Sequence, residues 1–188
     1  MRAGGIALAA LAALALTSCG GSQQDAHEPS GKYKVEVHAI FPAKQKLAKR
    51  SRMIITVKNV DSRALPNPSV TINSFNRNSQ QANLSDASRP VFVVNTGPRG
   101  GETANQSTSA FGRALPAGHT ATFVWSVTAV QAGPYKIHYR VSAGLYGKAR
   151  AVDSAGTIDP GGDFTGIIIR KAPHSTVNFQ NGKTVEGG

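Results

Sequence analysis

A two-residue period governs this chain. In three stretches apolar and polar side chains alternate one by one, which a half-buried strand requires and a helix cannot satisfy. From Tyr33 to Phe41, the residues Tyr33, Val35, Val37, Ala39 and Phe41 share one side, with Lys34, Glu36 and His38 on the other. From Ala121 to Val127, Ala121, Phe123, Trp125 and Val127 oppose Thr122, Val124 and Ser126. From Tyr135 to Val141, Tyr135, Ile137, Tyr139 and Val141 oppose Lys136, His138 and Arg140. A β-branched run from Arg52 to Val60 adds a fourth strand, with Met53, Ile55 and Val57 facing inward.

Shorter runs predict strands at about 69–75, 90–95, 149–152 and 164–170. Turn-forming clusters divide them, among them Pro66-Asn67-Pro68. No segment sustains a helical period, and 20 Gly with 10 Pro suit many short strands better than helices. Hydrophobic residues at 40% are enough to build a core. The predicted fold is an all-β antiparallel sandwich over 32–173, its core formed by Val35, Val37, Phe41, Ile55, Val57, Phe123, Trp125, Ile137 and Tyr139, with a polar C-terminal tail at 174–188. Two polar segments, 73–88 and 96–118, read as long loops of the kind that form binding surfaces, although an edge strand near Ala110 to Leu115 would also suit the second.

Two segments carry a resemblance. "MIITVKNVDSRALPNPSVTI" is similar to the strand, turn and strand of bacterial Ig-like envelope modules, and "LPAGHTATFVWSVTAVQAGPYKIHYRVSAGLYGKA" resembles their later half. The resemblance implies a single Ig-like antiparallel β-sandwich of about 7–9 strands and no particular activity.

The N-terminus has its own logic. Residues 1–18 place Arg2 before an apolar run from Ile6 to Leu16, about the length of a signal-peptide core and short for a bilayer span. Leu16-Thr17-Ser18-Cys19 resembles the bacterial lipobox, which implies lipidation of Cys19, cleavage before it and an extracytoplasmic, membrane-anchored protein. Two acyl chains anchor stably where one does so marginally. Cys19 is the only cysteine, so lipidation leaves no thiol for a disulfide, a thiolate metal site or a nucleophile. Residues 19–31 then read as the lipidated cysteine and a flexible tether.

Charge narrows the partners. The formal net charge is +11, and Lys44, Lys46, Lys49, Arg50 and Arg52 lie within nine residues, which favours anionic lipid or wall polymer if the segment is one loop beside the anchor. A merely solvated basic loop is the other reading. Nucleic acid is not the expected partner, because no aromatic residue interleaves the cluster to stack on bases. An envelope protein docking on the long loops is a further expectation.

Catalytic signatures are missing from the sequence: it has no G-x-S-x-G elbow, no H-E-x-x-H pair and no phosphate-cradling Gly-rich loop. No enzyme and no cofactor is expected. The alternative to a binding or structural module is a metal-binding protein. Asp153, Asp159 and Asp163 lie among glycines in a run that calcium could use, and His38 with His138 could meet around copper if their strands paired.

Overall fold

The computed structural model describes residues 27–73 and 90–170 in full, and 175–177 and 184–186 by backbone alone. Its strands are β1 (Gly31–Ile40), β2 (Lys44–Lys46), β3 (Arg50–Asn59), β4 (Ser69–Ile72), β5 (Phe92–Arg99), β6 (Glu102–Thr103), β7 (Thr108–Ala110), β8 (Thr120–Ala129), β9 (Gly133–Ser142), β10 (Ala149–Val152), β11 (Gly161–Ile169), β12 (Ser175–Val177) and β13 (Thr184–Glu186). One sheet runs in the order β10, β1, β3, β8, β5, and a second in the order β2, β11, β9, β4, β7, β6. The strands β12 and β13 pair by themselves as a two-stranded sheet within the expected tail. Cys19, residues 1–26 and residues 74–88 of the first long loop lie outside the described residues.

The strand order is that of an immunoglobulin-type sandwich, which places A, B, E and D in one sheet and C, F and G in the other. Taken in chain order, β1, β3, β8 and β5 fill the A, B, E and D places, and β4, β9 and β11 fill C, F and G. The protein is therefore an all-β, Ig-like sandwich. All eight strands predicted from the sequence are present. The short β2, β6 and β7 are additional; β5 runs into the second predicted loop as far as Arg99, and β6 and β7 are short strands within it. Two pairings are parallel, β1 with β10 and β2 with β11, so the sandwich is not antiparallel throughout.

The inward rows of both sheets meet as the alternation requires. Val35, Ile55, Val57, Phe123, Trp125 and Ile137 are buried, while Val37, Phe41 and Tyr139 pack partly buried against them. Phe92 on the first sheet meets Tyr135 on the second at 5.2 Å, and Phe41 closes on both at 5.4 and 5.8 Å. Such edge-to-face aromatic contacts add to the area they bury. At one end the fully buried Asn59 donates to the carbonyls of Arg63 and Leu115 at 2.8 and 2.9 Å, and its Oδ1 accepts from Asp61 N–H at 2.9 Å. The "KNVDS" step is thus a corner that ties two turns together.

The other end is tied by a residue the alternation hides. Gln45, between the exposed Lys44 and Lys46, is buried, and its amide donates to the Pro42 carbonyl at 3.0 Å and to Tyr135 Oη at 3.3 Å. Its Oε1 accepts from Ser51 Oγ, and Tyr135 Oη donates to the Pro42 carbonyl. The chain therefore leaves the first sheet after β1, joins the edge of the second as β2 and returns as β3.

Candidate functional site

That crossing divides the basic cluster. Lys44 and Lys46 stand on the edge of the second sheet and Lys49 sits in the turn that leaves it, while Arg50 and Arg52 belong to β3 in the first sheet. The segment is not one loop. Nor does it adjoin the point where the chain enters: β1 and β3 pair from Val35 with Asn59 to Ile40 with Ile54, so Arg52 lies beyond the far end of β1. Nine steps along β1 carry it roughly 30 Å from Gly31.

Arg50 and Arg52 instead join a charged sheet face. With Tyr33, Val35, Met53 and Ile55 buried, the intervening Lys32, Lys34, Arg50 and Arg52 must point outward, and all four are exposed. Arg150 of β10 shares that face, opposite Lys32. Lys58 pairs with Glu36 at 3.2 Å and Arg150 with Asp159 at 2.6 Å. Among the described residues, no carboxylate pairs with Lys32, Lys34, Arg50, Arg52 or Arg99.

Arg99 is the residue that sequence reasoning missed. It comes from the supposed loop 96–118 and lies on β5, whose register against β8 shifts between Val94 and Thr96 and again between Thr96 and Arg99. Such bulges re-aim side chains. They bring Arg99 opposite Val124, and Arg50, Ser51, Arg52, Thr96, Arg99, Val124 and Ser126 line a groove of about 470 Å³. The run "TGPRGG" carried the signal. At Gly97 a Cβ would collide with the Trp125 ring, and Gly100, at φ +85°, approaches the Thr122 carbonyl.

The expected metal ligands do not gather. Asp153 caps its own turn, accepting from the N–H groups of Ala155 and Thr157 at 2.9 and 2.8 Å. Asp159, at φ 50°, accepts from Ala151 N–H at 3.1 Å and pairs with Arg150. Asp163 holds Lys136 and His138, each at 2.8 Å, and the hydrogen bonds from Lys136 and His138 keep its carboxyl below the usual range. His38 and His138 stand in different sheets, on strands that do not pair with each other, each pointing away from the shared core. Among the described residues no three His, Cys, Asp or Glu side chains form a metal-binding group. The carboxylates are instead spent on turn capping and cross-strand pairing.

Two fastenings bound the basic face. Asp61 accepts from Lys34 N–H at 3.1 Å and from Arg63 N–H and Nε at 3.0 and 3.1 Å, and the Arg63 guanidinium holds its carboxyl well below the ordinary value. Arg63 also covers the Tyr33 ring at 4.3 Å. Glu28, placed by the sequence in the flexible tether, accepts from the N–H groups of Tyr146 and Lys148 at 3.0 and 2.8 Å. The chain is docked three residues before β1 begins.

No protein-family profile matches the chain, and no curated protein matches it. Solved structures with a similar course include Escherichia coli alpha-2-macroglobulin, 14% identical with TM-score 0.45, which covers 72% of this chain and 7% of that one. The CARDB domain of PF1109 from Pyrococcus furiosus is 14% identical with TM-score 0.44, covering 74% of this chain and 95% of that one. PapD-like domain 7 of human CEP192 is 11% identical with TM-score 0.39, covering 74% and 88%. The fold assignment rests on the strand order itself.

Proposed function

We propose that this chain is an exported lipoprotein, anchored through Cys19, whose sandwich is a non-catalytic module that binds an anionic membrane surface through the outer face of its first sheet. The supporting observation is the set Lys32, Lys34, Arg50, Arg52 and Arg99 along one face without carboxylate partners among the described residues. Each basic residue near an anionic surface contributes about 1 kcal/mol, screened beyond a Debye length. Because Lys32 and Arg52 lie toward opposite ends of the sheet, only a domain lying flat engages them together.

The test uses the full lipidated chain in lipid nanodiscs. Acetylation of Lys32 and Lys34, followed by mass spectrometry, should be several-fold slower on phosphatidylglycerol discs than on phosphatidylcholine discs, and high salt should restore the rate. Equal rates on both discs would overturn the reading.

A further inference from the structure

We propose that the groove formed by Arg50, Arg52, Thr96, Arg99, Val124 and Ser126 is a binding site for a terminal phosphate, a tetrahedral dianion with three free oxygens. The proposal deepens the membrane-surface reading and rests on it only for where the phosphate comes from, a lipid phosphomonoester or free phosphate.

Register gives the geometry. Arg52 lies opposite Ser126, Ser126 opposite Thr96, and Arg99 opposite Val124. Arg52 and Arg99 thus stand two strands apart and two residues along, about 12 Å at the backbone, with the short β8 side chains as the floor between them. Two long guanidinium side chains can converge over that floor, with Arg50 at its end.

Chemistry then selects the ligand. Lys58, Arg63, Lys136 and Arg150 each have a carboxylate within 3.2 Å, whereas Arg50, Arg52 and Arg99 have none among the described residues. Gathering three guanidiniums around one groove is electrostatically unfavourable by itself, and an anion reverses the sign of that interaction. The planar guanidinium fork donates two parallel hydrogen bonds to phosphate oxygens. The hydroxyls of Thr96 and Ser126 make no side-chain hydrogen bond among the described residues and can donate to another oxygen. A flat carboxylate, with two oxygens, would leave one guanidinium unmatched, while a phosphomonoester offers an oxygen to each. The two bulges of β5 bring Arg99 to this groove.

The sole tryptophan reports on the site, since the Trp125 ring lies against Gly97 on the β5 wall. The full chain in nonionic micelles is titrated with inorganic phosphate at constant ionic strength while Trp125 emission is followed. A saturable change is expected, one that chloride does not produce and that weakens about tenfold or more in Arg52→Gln and in Arg99→Gln. Melting temperatures should not fall, because both side chains are exposed and each removal relieves repulsion among the guanidiniums. No saturable response, or an equal response in parent and variants, would overturn the site.

Nanodiscs separate the sources. Slower phenylglyoxal modification of Arg99 on phosphatidic acid than on phosphatidylglycerol, at equal surface charge, supports the site with a lipid phosphomonoester as its ligand. Equal rates alongside an intact phosphate titration support it with free phosphate. A phosphate response with unprotected Lys32 and Lys34 keeps the groove and overturns the surface reading, and protected lysines without a phosphate response do the reverse.

Discussion

Truncating Trp125 to alanine removes a ring stacked on Phe123 at 6.0 Å and the surface against which Gly97 lies. The loss should destabilise the sandwich by about 3–5 kcal/mol, measured by chemical denaturation. A variant as stable as the parent would mean that the inward face of β8 has been misassigned. Asp61 gives a second prediction at this scale. Its folded pKa lies below the ordinary 3.8, because Arg63 and the Lys34 amide favour the carboxylate. Its contribution is therefore present above that ordinary value and is lost as pH falls toward the folded one. Asp61→Asn should melt below the parent at neutral pH, and the gap should narrow as pH is lowered from about 5 to about 2. A gap that stays constant across acid would show that the carboxylate charge is not what Arg63 and Lys34 use.

Strands, more than single side chains, decide where the basic residues point. β5 can pass over Trp125 only because residue 97 has no Cβ. Gly97→Val should lift β5, cost about 1–3 kcal/mol through overpacking and displace Arg99 from the groove. The expected readout is a lowered melting temperature together with loss of the phosphate response. An unchanged response would separate Arg99 from the course of β5. β2 shows the same dependence on neighbours: its Lys-Gln-Lys sequence has no apolar member, yet Gln45 is buried because Pro42, Tyr135 and Ser51 satisfy its amide. Hydrogen-bonded burial of this kind leaves no hydrophobic period to read.

For the molecule as a whole, on the proposed reading, the lipid anchor at Cys19 and the sandwich are separate devices. Cys19→Ser should shift the protein from the detergent phase to the aqueous phase, or mislocalise it, while the melting temperature of the domain stays the same. A mature chain beginning elsewhere than at Cys19 would overturn the anchoring. Glu28 fastens the chain to the turn around Tyr146 and Lys148, so on the proposed reading a lipidated Cys19 would be joined to the sandwich at the end away from Arg52. The basic residues are spread along a face, so on the anionic surface proposed above electrostatic attraction would favour the flat orientation over one standing on its end.

The sequence by itself determined the all-β class, eight strands and their inward residues. Alternation records burial directly, one residue at a time, and Val35, Ile55, Phe123 and Ile137 needed no partner to be named. It could not show which strands were neighbours. Lys44 and Arg52 look adjacent in sequence but belong to different sheets, whereas Arg52 and Arg99 are 47 positions apart and face the same groove. His38 and His138 carry the same pattern on strands that never pair. Pairing is set by long-range register and by bulges such as those of β5, whose surroundings, the Trp125 ring beneath Gly97 and the Thr122 carbonyl beside Gly100, exist only once the sheets have formed.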